Sequence, residues 1–539
     1  VAGSRGRQPR YYAGLNAGLA DWLRIGIMLA KNGQVDGAPL LQPGSVAQLF
    51  EHSAINPRYS LNTWLGGGWK AERRYGPTTP SFVPHAEPYL APDVLFYDGF
   101  GGQRVYVIPS EQLVVARFGE VELAFDDSVI PNTLLRGLLD ARMEENLQSY
   151  QSEEALELYM ERYEQLLEGF ASGRGLSGYD TMVPMPGDRD AEPLPRGDAP
   201  WLSNETEEWL RDLGAGNNTQ ALMVWHDGEV IFEDYPDAAA DDLVTSRSLS
   251  KPLSLIAVGR AIEEGFIDSL DQPAADFLTP WQGTDKAGIT LKHLLQMRSG
   301  LAPQGNSPDP DDVMNRAYLH PYHIEVILRE YPLVLEPGSR YDYSNANAEL
   351  IAPIIEHATG RPYEDWVSEA VLKPLGAHGG EIWADRIGGT VHSGCCAALP
   401  AETYLRMALL FKEDGVWEGE RLLPEGFVET ATTPTPYNPH AAMGIYVAGP
   451  YVEGRGAANP DFPRGKTKHG EPYLDRDLYL FDGNGNQVVY VVPRHDLVAL
   501  RVGSRPPKDN PWDNSVLPNY LLRQLSEATG AELLPQPGP

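Results

Sequence analysis

Apolar and polar positions along the chain separate into strand-like and helix-like stretches. Residues 220–235, QALMVWHDGEVIFEDY, place two apolar runs on either side of Asp227-Gly228. That pattern predicts a β-hairpin turned at this dipeptide. Residues 488–492 and 498–502 are two further apolar runs and predict paired strands. Residues 201–213 carry apolar positions at helical spacing, as do 252–264 and 291–301, the last stopped by Ser299-Gly300. Residues 141–170 are rich in Glu, Leu and Tyr and also predict helix. Residues 183–200, VPMPGDRDAEPLPRGDAP, predict an extended linker. Helical segments thus lie between an early and a late set of strands. This is an α+β pattern in which the two ends of a module close one sheet.

The pattern also repeats. PYLAPDVLFYDGFGGQRVYVIP at 88–109 matches PYLDRDLYLFDGNGNQVVYVVP at 472–493 in 12 of 22 positions without a gap. DDSVIPNTLLR at 126–136 matches DNSVLPNYLLR at 513–523 in 8 of 11. Upstream, NGQVDGAPLLQPGSV mirrors EDGVWEGERLLPEGFV, each after a helical segment. Residues 1–145 are therefore read as a second copy of 383–530. The later copy has roughly 180 further residues ahead of the shared part, and the first has none, by the same domain bookkeeping. The organisation expected is a partial module at 1–145, a helical and Pro-rich linker at 146–200 and a complete module at 201–530. The chain opens Val1-Ala2-Gly3-Ser4-Arg5-Gly6-Arg7, without Met and without a signal-peptide core. The first copy is expected to be truncated, from a parent of about 700–750 residues. A partial module leaves half a sheet open, so an intramolecular or homo-oligomeric contact through it is expected.

Charge narrows the partners. The 539 residues carry 75 acids against 43 Lys and Arg, a formal net charge of -32. Nucleic acid needs clustered cations, and anionic membrane surfaces repel such a chain, so neither is an expected partner. No apolar run is long enough to insert in a membrane. The two cysteines, Cys395 and Cys396, are adjacent, which leaves neither a disulfide framework nor a thiolate zinc site.

Three short motifs carry chemistry. In Ser248-Leu249-Ser250-Lys251, a helix beginning at the serine puts Ser248 and Lys251 on one face. A partly buried lysine then accepts the serine proton, and the Ser248 N–H points at a developing oxyanion. A capping serine with a surface lysine has the same spelling. In LEPGSRYDYSNANAEL, a turn at Pro337-Gly338 precedes Tyr343-Ser344-Asn345, with a helix expected from Asn347 or Ala348. A tyrosine there relays a proton, or simply packs. Third, Asp482-Gly483-Asn484-Gly485-Asn486-Gln487 precedes a strand. It is either a hairpin turn or a loop whose N–H completes an oxyanion hole.

Together these segments resemble the serine β-lactamase-like superfamily, specifically the class C-related hydrolases. That group includes esterases, D-amino-acid peptidases and 6-aminohexanoate-oligomer hydrolases. The resemblance covers about 330 residues, from about 201 to 530. Further matching segments are SLSKPLSLIAVGRAIEEGFIDSLDQPAADFL, ITLKHLLQMRSGL, ATGRPYEDWV and LKPLG. It implies a β-lactamase/transpeptidase-like fold, an antiparallel sheet flanked by helices plus a helical subdomain, here preceded by a partial second copy. It implies Ser248 as nucleophile, Lys251 as its base, Tyr343 as proton shuttle and Asn345 as holder of Lys251. The oxyanion and substrate-binding set would be Ser248, Gly483, Asn484 and Gly485. The reaction would pass through an acyl-enzyme on a small amide or ester, with no metal and no cofactor. A periplasmic or secreted location is what the resemblance favours.

Departures refine this. The better-known members carry Lys/His-Thr/Ser-Gly where this chain has Asp482–Gln487. The Gly-x-Gly-x-Gln form is closer to the esterase and nylon-hydrolase branch and lacks a cation for a β-lactam carboxylate. Asn486 stands where the first copy has Gly102, the third glycine of GFGGQ. The first copy has no Ser-x-x-Lys and no Tyr-x-Asn, so it cannot perform this chemistry as it stands. His293 and His392 read as structural or surface residues, the Cys pair as packing or a redox switch, and acidic 152–168 as a solvated helix between modules. The pocket walls, expected from loops 303–325 and 436–470, carry no readable code for substrate. A catalytically silent binding or sensor module and a D,D-peptidase with penicillin-binding activity are the competing functions.

Overall fold

The computed structural model describes residues 17–52, 56–67, 70–75, 82–122, 124–171, 180–303, 307–456 and 466–537. The opening residues 1–7, and positions 304–306 and 457–465 of the two expected wall loops, lie outside the described residues. The chain forms two compact units. One is residues 1–141 with 264–266 and 359–361, and the other is the remainder.

In the first unit, α1 (Leu19–Ala30) precedes four antiparallel strands in the order β1 (Trp64–Leu65), β2 (Leu95–Gly99), β3 (Gln103–Ile108) and β4 (Leu113–Arg117). The period of two sorts their side chains. Leu95, Val105 and Val107 join Leu29 and Ala30 of α1 in one cluster. Phe96, Tyr106 and Ile108 join Leu135, on α2 (Val129–Ser149), in another. A buried ion cluster ties the unit together. Arg73 meets Asp98 at 2.7 Å and Asp127 at 2.6 Å, and Arg104 meets the same two carboxylates at 2.5 and 2.8 Å.

The second unit begins at Arg142, within α2, and continues with α3 (Glu153–Ala171). Its acids face outward, but Tyr159, Tyr163 and Leu166 pack with Leu319, Trp383, Cys395 and Cys396. This corrects the reading of 152–168 as a solvated helix between modules: one aromatic stripe is core. Strand β5 (Met182–Met185) lies within the expected linker and pairs with a strand at Gly380–Trp383, because Met185 is fully buried there. Then come α4 (Asn204–Ala215), capped by Ser203, and the hairpin β6 (Thr219–His226) and β7 (Glu229–Asp234). The hairpin turns at Asp227 (φ 48°) and Gly228 (φ 97°), the left-handed pair that a tight turn between twisted strands requires. Next follow β8 (Val244–Thr245), α5 (Ser250–Glu263), α6 (His323–Arg329), α7 (Asn345–Glu349), β9 (Gly380–Trp383), β10 (Ala397–Leu399) and α8 (Ala401–Lys412). The chain ends with β11 (Tyr446–Val447), β12 (Tyr479–Gly483), β13 (Gln487–Val492), β14 (Leu497–Gly503) and α9 (Val516–Thr529).

The main sheet is six-stranded and antiparallel, in the order β7-β6-β14-β13-β12-β11. The chain's early hairpin thus pairs with its last strands. One face packs on α4 and α9 through Leu210, Leu517, Leu521 and Leu525. Against the other face lies α8, whose Phe411 meets Phe481 edge-on at 5.4 Å. Both faces being covered explains why β13 reads as an unbroken apolar run. A second sheet, β8-β10-β9-β5, is smaller. The helix expected over 291–301 is only Leu291–Leu295, because Met297 takes a left-handed φ of 54°.

The sequence repeat recurs as bonds. Gln103 exchanges two hydrogen bonds with the backbone of Gly119, and Gln487 does the same with Gly503. Asn132 bridges Leu90 N and Pro88 O, and Asn519 bridges Leu474 N and Pro472 O. Among the described residues β4 is an edge strand, whereas its counterpart β14 is interior and paired with β6.

Candidate active site

Ser248 lies in a single 3₁₀ turn, Arg247–Leu249, that feeds α5. Arg247 has a φ of 53°, a left-handed conformation that costs an arginine energy and is found where surrounding packing over-determines it. That packing is present: every residue of α5 from Ser250 to Ala261 is buried. The end of β12 presses on the same turn. A Cβ on Gly483 would stand 2.7 Å from Ser246 O and 3.0 Å from Leu249 N, so only glycine fits.

From the second position of α5, Lys251 reaches back to Ser248. Its Nζ lies 3.1 Å from Ser248 Oγ, 3.1 Å from Asn345 Oδ1 and 2.8 Å from the Gly394 carbonyl. The last two partners only accept. They take two N–H bonds, so the third direction on the nitrogen is the one aimed at the serine. Burial disfavours the ammonium and pushes the amine down to about 8, against an opposing pull from Glu349. Tyr343 closes the group: its hydroxyl is 2.9 Å from Ser248 Oγ. Burial pushes this phenol up to about 12, partly offset by the bond to Ser248. Asn345 stands at the first position of α7, two residues earlier than the sequence suggested, because Ser344 already takes the extended conformation of a cap.

A cleft of about 680 Å³ opens from Ser248, Tyr343 and Asn345. Gly483, Asn484 and Gly485 line it as well, Gly483 against the turn that carries Ser248. Asp482 lines it too, and is paired with the buried Arg455. Farther out the wall carries Lys468, Arg505 and Lys508. The structure therefore brings Ser248, Lys251, Tyr343 and Asn345 into one bonded set and sets the 483–485 loop facing it.

The family Beta-lactamase matches residues 207–514, more than half of the chain. The chain belongs to the beta-lactamase family. The esterase EstB of Burkholderia gladioli is 30% identical over 148 residues, covering 25% of this chain and 37% of the esterase. The 6-aminohexanoate-dimer hydrolase of Paenarthrobacter ureafaciens is 27% identical over 262 residues, covering 44% of this chain and 63% of that enzyme. A solved structure from Bacillus anthracis, named after 6-aminohexanoate-dimer hydrolase, superposes with a TM-score of 0.51 at 18% identity, covering 65% of this chain and 91% of that one. That likeness establishes the β-lactamase/transpeptidase-like fold. The aligned stretches span about a third to two thirds of the curated relatives' own length. No helix among the described residues is long and apolar enough to cross a membrane.

Three features of this family member had no readable signal in the sequence. The Gly394 carbonyl holds Lys251, but a backbone oxygen leaves no mark in a residue pattern. Arg455 neutralises Asp482 from a segment without a motif. Glu349, His323 and His392 are fully buried together behind Lys251. His392 and His293 were read as structural or surface residues: His392 is buried, and His293 Nδ1 accepts from Thr290 N at 3.3 Å in a helix cap. Cys395 and Cys396 follow Gly394 directly, with their sulfur atoms in bonding contact with each other. Absence of a disulfide framework therefore does not mean two free thiols.

Proposed function

We propose that the chain is a serine hydrolase that cleaves a small amide or ester through an acyl-enzyme on Ser248. The observation that carries this is the bonding of the Lys251 amine. Two of its directions are occupied by acceptors and the third faces Ser248 Oγ at 3.1 Å. A neutral amine so held takes the Oγ proton as Oγ attacks the substrate carbonyl carbon. The carbonyl oxygen, now an oxyanion, would be received by the Ser248 N–H and an N–H of the Gly483–Gly485 loop. Tyr343, kept protonated by burial, donates its O–H proton to the departing amine or alcohol and regains one from the lysinium. Water then attacks the ester by the same route in reverse, and Ser248 is restored. Residues 201–530 are the module that does this. Residues 1–145 carry no Ser-x-x-Lys.

A fluorophosphonate, which reacts with an activated serine and needs no knowledge of substrate, tests this. Wild type is expected to be labelled and Ser248→Ala is not. A folded wild-type protein that takes no label and turns over no ester overturns the reading in favour of a binding module. The cations Lys468, Arg505 and Lys508 on the outer wall favour one second reading, a D,D-peptidase that holds a terminal carboxylate. It predicts covalent capture of penicillin and release of terminal D-Ala.

A further inference from the structure

Behind Lys251 lies a fully buried group of ionisable side chains that the proposed chemistry does not use. Glu349 Oε2 stands 3.4 Å from His392 Nδ1 and 3.8 Å from His323 Nε2. His323 Nδ1 is 3.0 Å from Asp385 Oδ2, and Asp385 Oδ1 is 2.9 Å from Arg386. Among the described residues, His323 Nε2, His392 Nε2 and Glu349 Oε1 have no hydrogen-bond partner. The donor atoms fall within 4.8 Å of one another, a spacing that invites a metal ion. The rings exclude one in this arrangement. His323 and His392 are stacked at 4.0 Å and 20°, and His392 is stacked on Trp383 at 3.8 Å. Imidazole lone pairs lie in the ring plane, so those of two parallel rings cannot converge on one ion at about 2.0 Å.

What the group does touch is the backbone that holds the lysine. Gly394 N donates to Glu349 Oε2 at 3.4 Å, and the Gly394 carbonyl accepts from Lys251 Nζ at 2.8 Å. Glu349 ends α7, the helix that Asn345 begins, so it is tied to both acceptors of the lysine. Resting on the hydrolase reading above, we propose that Glu349 is a positioning residue for Lys251, holding the Gly394 peptide in place and setting by its charge the pH at which the amine becomes a base. Burial works against the carboxylate, and the His392 nitrogen directed at Oε2 and the charge on Lys251 pull the other way, holding it below the usual range. Burial likewise drives His392 down to about 4, so it meets the carboxylate as a neutral ring. The other groups facing Glu349 are the phenols Tyr343 and Tyr363, both pushed up by burial and both uncharged at neutral pH. Glu349 is therefore the anion that opposes neutralisation of Lys251.

The test is the pH profile of fluorophosphonate labelling of Ser248. In wild type the second-order rate rises with pH as Lys251 loses its proton. Glu349→Gln, which conserves volume, and Glu349→Ser, which leaves space for a water, both remove the charge. The midpoint is expected to fall by about one pH unit in either variant that keeps a cooperative melt. Glu349→Asp is expected to keep the wild-type midpoint even where its rate drops. A folded Gln or Ser variant with the wild-type midpoint and only a lower rate overturns the proposal. A wild type that takes no label overturns the hydrolase reading instead.

Discussion

At the scale of single residues, the lysine decides the chemistry. Its three neighbours are all hydrogen-bond acceptors or, in the case of Ser248, a group able to act as one. An arginine there stays charged at any working pH. Lys251→Arg is therefore expected to lose labelling by more than about a thousandfold, with Ser248 still in place. The rate should be low where Lys251 is an ammonium and rise through a midpoint near 8. A profile that is flat from pH 6 to 10 contradicts the lysine as base. Tyr343→Phe removes one proton donor and is expected to lower kcat by about 10²–10⁴ while leaving KM close to wild type. Ser248, Lys251, Tyr343 and Asn345 were legible in the sequence because their spacing survives as a linear pattern. Glu349 and the Gly394 carbonyl were not, since their effect comes from adjacency across more than 90 residues of chain.

At the scale of elements, the site depends on a strand end meeting a helix start. Gly483 closes β12 against the turn carrying Ser248, and a Cβ there has backbone on two sides. Gly483→Ala is expected to slow labelling at least tenfold, since the turn must shift by a few tenths of an ångström; a rate equal to wild type would refute the contact. The neighbouring Gln487 holds β13 to β14 by two buried bonds to Gly503. Gln487→Leu leaves both backbone groups unpaired and is expected to cost about 1–3 kcal/mol in urea melts. Hairpin β6–β7 was readable because Asp-Gly is a turn signal in itself. Strand β5 was not. Its Pro184 and the Pro186 that follows read as linker, and only pairing with β9 and burial of Met185 make it a strand. The helix at 291–301 was overestimated for the opposite reason: its apolar spacing continues past the point where Met297 turns left-handed.

At the scale of the whole molecule, the chain forms two units, and the only Ser-x-x-Lys in the sequence lies in the second. The first unit is held by Arg73 and Arg104 against Asp98 and Asp127, all buried. Arg104→Leu leaves two carboxylates short of a partner and is expected to destabilise that unit by about 3–5 kcal/mol. Labelling of Ser248 should be unchanged, because every residue of the site belongs to the other unit. Calorimetry should show the lower transition move alone; a shift of a single shared transition would count against independent units.

By itself the sequence determined the family, the hairpin and strand pairs, the internal repeat and, through the family resemblance, Ser248 with the three side chains around it. Each of these is local or keeps a fixed order along the chain, so residue type and spacing suffice to express it. The tertiary structure alone decided which acceptors fill two of the three directions on Lys251, that Arg455 offsets Asp482, and that stacked imidazoles and Glu349 stand behind the Lys251 amine. Those are distances between segments far apart in the chain. They arise only when a buried helix, a strand end and a loop are packed to contact, and a hydrophobic pattern specifies that packing without naming the partners.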